Sequence, residues 1–131
     1  MTPRDQLEDD DCLRACLASI FDLTALDVPH FVRDHGALWN AEFKDWLAGR
    51  GFECVAFDNH YPRQGVYLAD GWTDRDTPHM TVWRGTEMIH DPHPSKAGLT
   101  NIRRTYWIMP LELSKPEVMF LSTPSSSPQG G

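Results

Sequence analysis

Residues 79–91 read HMTVWRGTEMIHD, and this stretch decides the fold. His79-Met-Thr-Val-Trp83 is an apolar run of strand type, Arg84-Gly85-Thr86 is a tight turn, and Glu87-Met-Ile-His90 pairs back as a second strand. Such a hairpin is antiparallel. It brings His79, at the start of one strand, and Asp91, just past the end of the other, to the same open end.

Further strands flank the hairpin. Residues 52–57 alternate as a short buried strand, Gly65-Val-Tyr-Leu-Ala69 is another, and Tyr106-Trp-Ile-Met109 closes the sheet. Residues 71–78, rich in Asp, Thr and Gly, form a loop. Helices precede all of this. Leu13, Cys16, Leu17 and Ile20 repeat at helical spacing, which predicts a helix over about 11–22 capped by one of the aspartates before Cys12. Pro29 ends that pattern, and a second, shorter helix starts near Val28. Trp39, Phe43, Trp46 and Leu47 make an aromatic stripe over 39–49, stopped by Gly49 and Gly51. Helices first and strands after predict an α+β fold, with N-terminal helices packed on a C-terminal antiparallel sheet of about five strands.

The chain of 131 residues fits one domain, read as residues 1–121, with a flexible Ser/Pro/Gly tail at 122–131. A hydrophobic content of 40% supports a core without disulfide staples. The net charge of −7 repels phosphate backbones, so nucleic acid is excluded as a partner. No stretch approaches the roughly 18 apolar residues of a membrane span, and the N-terminus has no apolar signal region. A cytoplasmic monomer is expected. Three cysteines, Cys12, Cys16 and Cys54, are an odd number and argue against a disulfide framework. No second cysteine pair completes a zinc site with Cys12 and Cys16. Cys16 reads as core, Cys54 as a buried strand residue, and His30, His35 and His60 as surface histidines.

Four positions carry chemistry together: Gln6, Cys12, His79 and Asp91. A cysteine in the first turn of a helix meets the positive end of the macrodipole, which favours the nucleophilic thiolate. The aspartates at 9–11 push the other way. A nucleophile needs a base, and the base needs an orienting acceptor on its second nitrogen. His79 and Asp91 fit those roles. Gln6, six positions before Cys12, carries an amide able to donate to an oxyanion, with the Cys12 N–H as the second donor.

Gln6-x5-Cys12, His79 heading an apolar strand, and Asp91-Pro92 closing the next one resemble the papain-like cysteine peptidases. The nearest pattern is the bacteriocin-processing branch, the double-glycine leader peptidases. The resemblance implies thiol-dependent cleavage of a peptide or isopeptide bond, with catalytic roles for Cys12, His79 and Asp91 and an oxyanion role for Gln6. It implies a peptide or protein substrate and no cofactor. That family usually follows its Cys with Gly, whereas Leu13 follows here and shapes the substrate cleft. No transporter region accompanies the motifs, so export coupling does not carry over. The family cuts after two glycines, and this chain ends in Gly130-Gly131, which could lie in such a cleft as a product mimic.

Other residues are weighed beside these. His93, fixed between Pro92 and Pro94, stands as a wall of the site. His90, Asp91 and His93 could alternatively chelate a metal, but too few further ligands stand at telling spacings, and no metal is expected. Trp39, Trp46, Trp72 and Trp83 supply either core or the lining of a peptide groove. Two other functions stay open on the same scaffold: a peptide-binding module without catalysis, and acyl transfer through the same triad.

Overall fold

The computed structural model describes residues 1–7 and 11–111. The expectations for Asp9 and Asp10, for the tail at 122–131 and for its Gly-Gly end fall outside these residues. The fold is α+β, with three α-helices ahead of a five-stranded antiparallel sheet.

Helix α1 spans Cys12–Ile20. Asp11 stands at its N-cap position, yet its carboxylate makes no cap hydrogen bond. It accepts the Leu7 N–H at 3.0 Å instead and faces Arg14 at 3.9 Å. The helix stops before the expected 22 because Asp22 turns left-handed, at φ 56°. The Leu23 N–H then closes back onto the Ala18 carbonyl at 2.8 Å, a Schellman-type ending.

Two short elements replace the one helix expected from Val28. A 3₁₀ turn at Ala25–Asp27 is held by a Thr24/Asp27 capping box, and helix α2 follows at Phe31–His35. His30 is not a surface residue. It is buried at the N-cap of α2, where its Nδ1 accepts the Arg33 N–H at 3.2 Å. The imidazole supplies the acceptor that a Ser, Thr or Asp usually provides.

Helix α3 is Trp39–Gly49, as its aromatic stripe predicts. Phe43 and Leu47 are fully buried, and Trp39 and Trp46 pack half-buried at the edge of the core. Phe21, Phe31 and Trp46 meet edge-on at 5.7 and 6.0 Å, the preferred geometry for ring quadrupoles.

The strands are β1 (Phe52–Asp58), β2 (Val66–Trp72), β3 (Pro78–Arg84), β4 (Glu87–His90) and β5 (Asn101–Pro110). Their order in the sheet is β1-β5-β2-β3-β4. β1 is therefore an edge strand, half-buried rather than buried, and Cys54 with it. β5 begins five residues before the expected Tyr106, because Asn101 to Thr105 pair through their backbone with β2 although their side chains are mostly polar and exposed. The ladder slips at Asp70/Gly71. A Cβ on Gly71 would stand 1.9 Å from the Asn101 carbonyl oxygen, so this crossing requires glycine.

Alternation divides the sheet into two faces. Leu68, Met80, Val82, Tyr106 and Ile108 join Leu13, Leu17, Phe43 and Leu47 in the main core under the helices. Tyr67, Thr81 and Trp83 lie on the opposite face, where the Trp83 indole donates to Thr81 Oγ1 at 2.8 Å. His60 covers them, half-buried, with its Nε2 2.9 Å from the Tyr67 hydroxyl. Among the described residues no single helix is long and apolar enough to cross a membrane.

Candidate active site

Cys12 is the first residue of α1, and α1 packs on β3. This docking sets the Cys12 thiol against the start of β3. Burial pushes that thiol up to about 11, with Asp11 adding to the rise; the backbone at Met80, Leu13 and Cys12 itself opposes it through hydrogen bonds. Burial thus works against the thiolate that the helix terminus favours.

His79 lies at the start of β3 and Asp91 directly follows β4. His79 Nε2 is 2.7 Å from Asp91 Oδ1, and both side chains are buried. Asp91 is further fixed by its own loop. Its Oδ1 accepts the His93 N–H and its Oδ2 the Gly98 N–H, each at 2.8 Å. Gly98 turns at φ 76°, and a Cβ there would press on the Met88 sulfur at 3.2 Å, so the loop closes on Asp91 best with glycine. Lys96 Nζ donates to the Asp91 carbonyl at 2.8 Å and pairs with Asp5.

Burial alone would raise the Asp91 carboxyl, but the His79 ring and the two backbone N–H groups outweigh it and hold the group below the usual range. Burial pushes His79 down, and the attraction of Asp91 offsets this only in part. An ionised carboxylate can only accept, so the neutral imidazole carries its proton on Nε2. Nδ1 then holds the lone pair, and it has no hydrogen-bond partner among the described residues. This is the arrangement a general base requires.

Cys12 and His79 border one cavity of about 430 Å³ without a hydrogen bond between them. Leu13, Val32 and Trp39 wall it on the helical side; Asp70, Met80 and Arg103 wall it on the sheet side. Leu13 and Trp39, expected to line a substrate cleft, border this cavity. Trp83 does not: it packs on the far face of the sheet against His60, with ring centroids 5.0 Å apart. It sits four residues along β3 from His79, about 13 Å at the rise of a strand.

His93 borders a second, polar cavity of about 290 Å³ with Arg75, and Thr77, Pro78 and His79 line both cavities. Its ring stands edge-on to His79 at 6.1 Å, and its Nδ1 is tied to Ser95 Oγ at 2.9 Å. Gln6 is half-buried, and its backbone N–H donates to the Pro92 carbonyl at 2.9 Å, which tethers it beside the Asp91-Pro92 pair.

His90, Asp91 and His93 take separate partners, since His90 Nε2 lies 2.7 Å from the Arg4 carbonyl oxygen. Among the described residues no group of three or more His, Cys, Asp or Glu side chains is placed to hold a metal ion. Cys16 is fully buried with its thiol on the Met80 carbonyl at 3.4 Å, and burial raises it well above the ordinary thiol range.

Sequence reasoning missed Val32, Asp70, Arg75 and Arg103. A signal existed for Asp70, because it is two residues beyond the core residue Leu68 and so shares its inward face. No family model, curated protein or solved structure matches this chain.

Proposed function

We propose that this protein is a thiol hydrolase of papain-like type that cleaves a peptide or isopeptide bond, with Cys12 as nucleophile, His79 as general base and Asp91 as its orienting acceptor. One observation carries the reading. A buried His79–Asp91 pair at 2.7 Å leaves the His79 Nδ1 lone pair uncommitted on a ring that shares a cavity with Cys12. The order Gln6, Cys12, His79, Asp91 and its resemblance to the double-glycine leader peptidases support the same reading.

The chemistry follows from the protonation states. The resting pair is a neutral thiol and a neutral imidazole. Cys12 Sγ attacks the carbonyl carbon as His79 Nδ1 takes the thiol proton. Asp91 stabilises the imidazolium so formed. The oxyanion is met by the Cys12 N–H and by the Gln6 amide. Collapse expels the amine, which takes the proton from Nδ1, and leaves a thioester on Cys12. Water, deprotonated by the same Nδ1, releases the acid and restores the thiol. An amine in place of water would give acyl transfer with the same residues.

Screening a peptide pool for products tests this. Cys12→Ala and His79→Ala should abolish turnover while the circular dichroism spectrum stays unchanged. A second reading, a peptide-binding module, draws on the absence of a Cys12–His79 hydrogen bond and on the raised thiol. It predicts binding that Cys12→Ala leaves intact, with no products from the parent protein.

A further inference from the structure

Asp70 lies in the wall of the Cys12 cavity and has no part in the proposed triad. Its register explains its direction: Asp70 pairs with Met80 across β2 and β3, and Met80 faces the main core. Oδ2 accepts the Tyr106 hydroxyl at 2.6 Å, which pins the carboxylate. Oδ1 is buried and has no hydrogen-bond partner among the described residues. Arg103 Nε stands 3.8 Å from Oδ1, close enough to attract but too far to donate a hydrogen bond. The Arg103 side chain is half-exposed, with its guanidinium over the Trp72 ring at 5.9 Å.

We propose that this cavity selects a lysine or arginine side chain next to the scissile bond, its cationic tip displacing the half-exposed Arg103 guanidinium to reach Asp70 Oδ1. The inference rests on the thiol-hydrolase reading of the same site. Leu13, Val32 and Trp39, which line the same cavity, offer apolar contact for the methylene stem, while the head finds the acceptor. A glutamate would set like charges together. A purely apolar side chain would leave Oδ1 as unsatisfied as it is without ligand. The net charge of −7 also draws cationic peptides towards the protein.

The test uses peptide libraries that carry Lys, Arg, norleucine or Glu at each position flanking the cleaved bond, scored by kcat/KM. Equilibrium binding of the same peptides to Cys12→Ala runs in parallel. At one position Lys and Arg should exceed norleucine by about 10- to 100-fold, the worth of a hydrogen bond to a charged group. Asp70→Asn keeps an acceptor for Tyr106 and should collapse that ratio. Arg103→Ala removes the competing guanidinium and should widen it. Cleavage at Cys12 with equal rates for Lys and norleucine, or a ratio untouched by Asp70→Asn, overturns the inference and leaves the hydrolase reading standing. Binding to Cys12→Ala that prefers Lys through Asp70, with no cleavage by the parent protein, upholds the cation site and overturns the hydrolase reading.

Discussion

Asp91 Oδ1 lies 2.7 Å from His79 Nε2 in a buried contact, and the same oxygen accepts the backbone N–H of His93 at 2.8 Å. One carboxylate thus orients the ring and anchors the loop that follows it. Changing Asp91 should therefore separate two effects. Asp91→Asn keeps an acceptor but removes the charge that stabilises the imidazolium. Turnover should fall by about 10²–10⁴-fold, the range for a positioned acid–base group, with a stability loss of about 1–3 kcal/mol, because the new NH2 faces the Gly98 N–H. Asp91→Ala also strands the buried N–H groups of His93 and Gly98, and should cost about 1–3 kcal/mol for each by urea denaturation.

Stability should peak near neutral pH. His79 is pushed below its ordinary value, so the unfolded chain takes up that proton first. Stability then declines as pH drops below about 6.5. Asp91 is also depressed, so its contribution is present above the ordinary carboxyl value and is lost as pH falls through the lower folded value. Cys12 acts with the opposite sign. Its thiol titrates near 11 when folded and near 9.0 when unfolded, so its contribution is lost as pH rises through that window. Urea midpoints measured from pH 3 to 11 check all three signs. A midpoint that stays flat between pH 7 and 5 counts against a buried neutral His79.

Iodoacetamide should modify Cys12 faster than Cys54 or Cys16, because Cys12 alone shares a cavity with a base. His79→Ala should slow it, and its rate should keep climbing towards pH 11. Peptide mapping after timed labelling reads this out. Equal, slow labelling of all three thiols contradicts it.

Gly71→Ala should damage the β2–β5 pairing next to Asp70. The added methyl meets the Asn101 carbonyl, and the backbone must move to relieve it. A loss of at least about 1–3 kcal/mol is expected in chemical denaturation.

Much of this architecture was legible because its signals are local. The stripe from Trp39 to Leu47 and the hairpin from His79 to His90 carry clean periodicities, and the hairpin alone put His79 beside Asp91. What failed depended on tertiary context. The first half of β5 is polar and is a strand only because β2 offers it a partner. His30 is buried because it caps a helix that lacks an ordinary cap residue. Trp83 packs against His60 on the face of the sheet away from the helices, which local sequence does not reveal. The macrodipole at Cys12 can be read from position, whereas the desolvation that pushes its thiol up depends on what packs over the sulfur.

A covalent acyl intermediate on Cys12 can be caught by mass spectrometry of the acid-quenched protein after exposure to a peptide pool or lysate. The expected result is a hydroxylamine-labile acyl adduct on Cys12, absent from Cys12→Ala and strongly reduced in His79→Ala. Peptides that bind equally to the parent protein and to Cys12→Ala, with no adduct on Cys12 at any quench time, would contradict it.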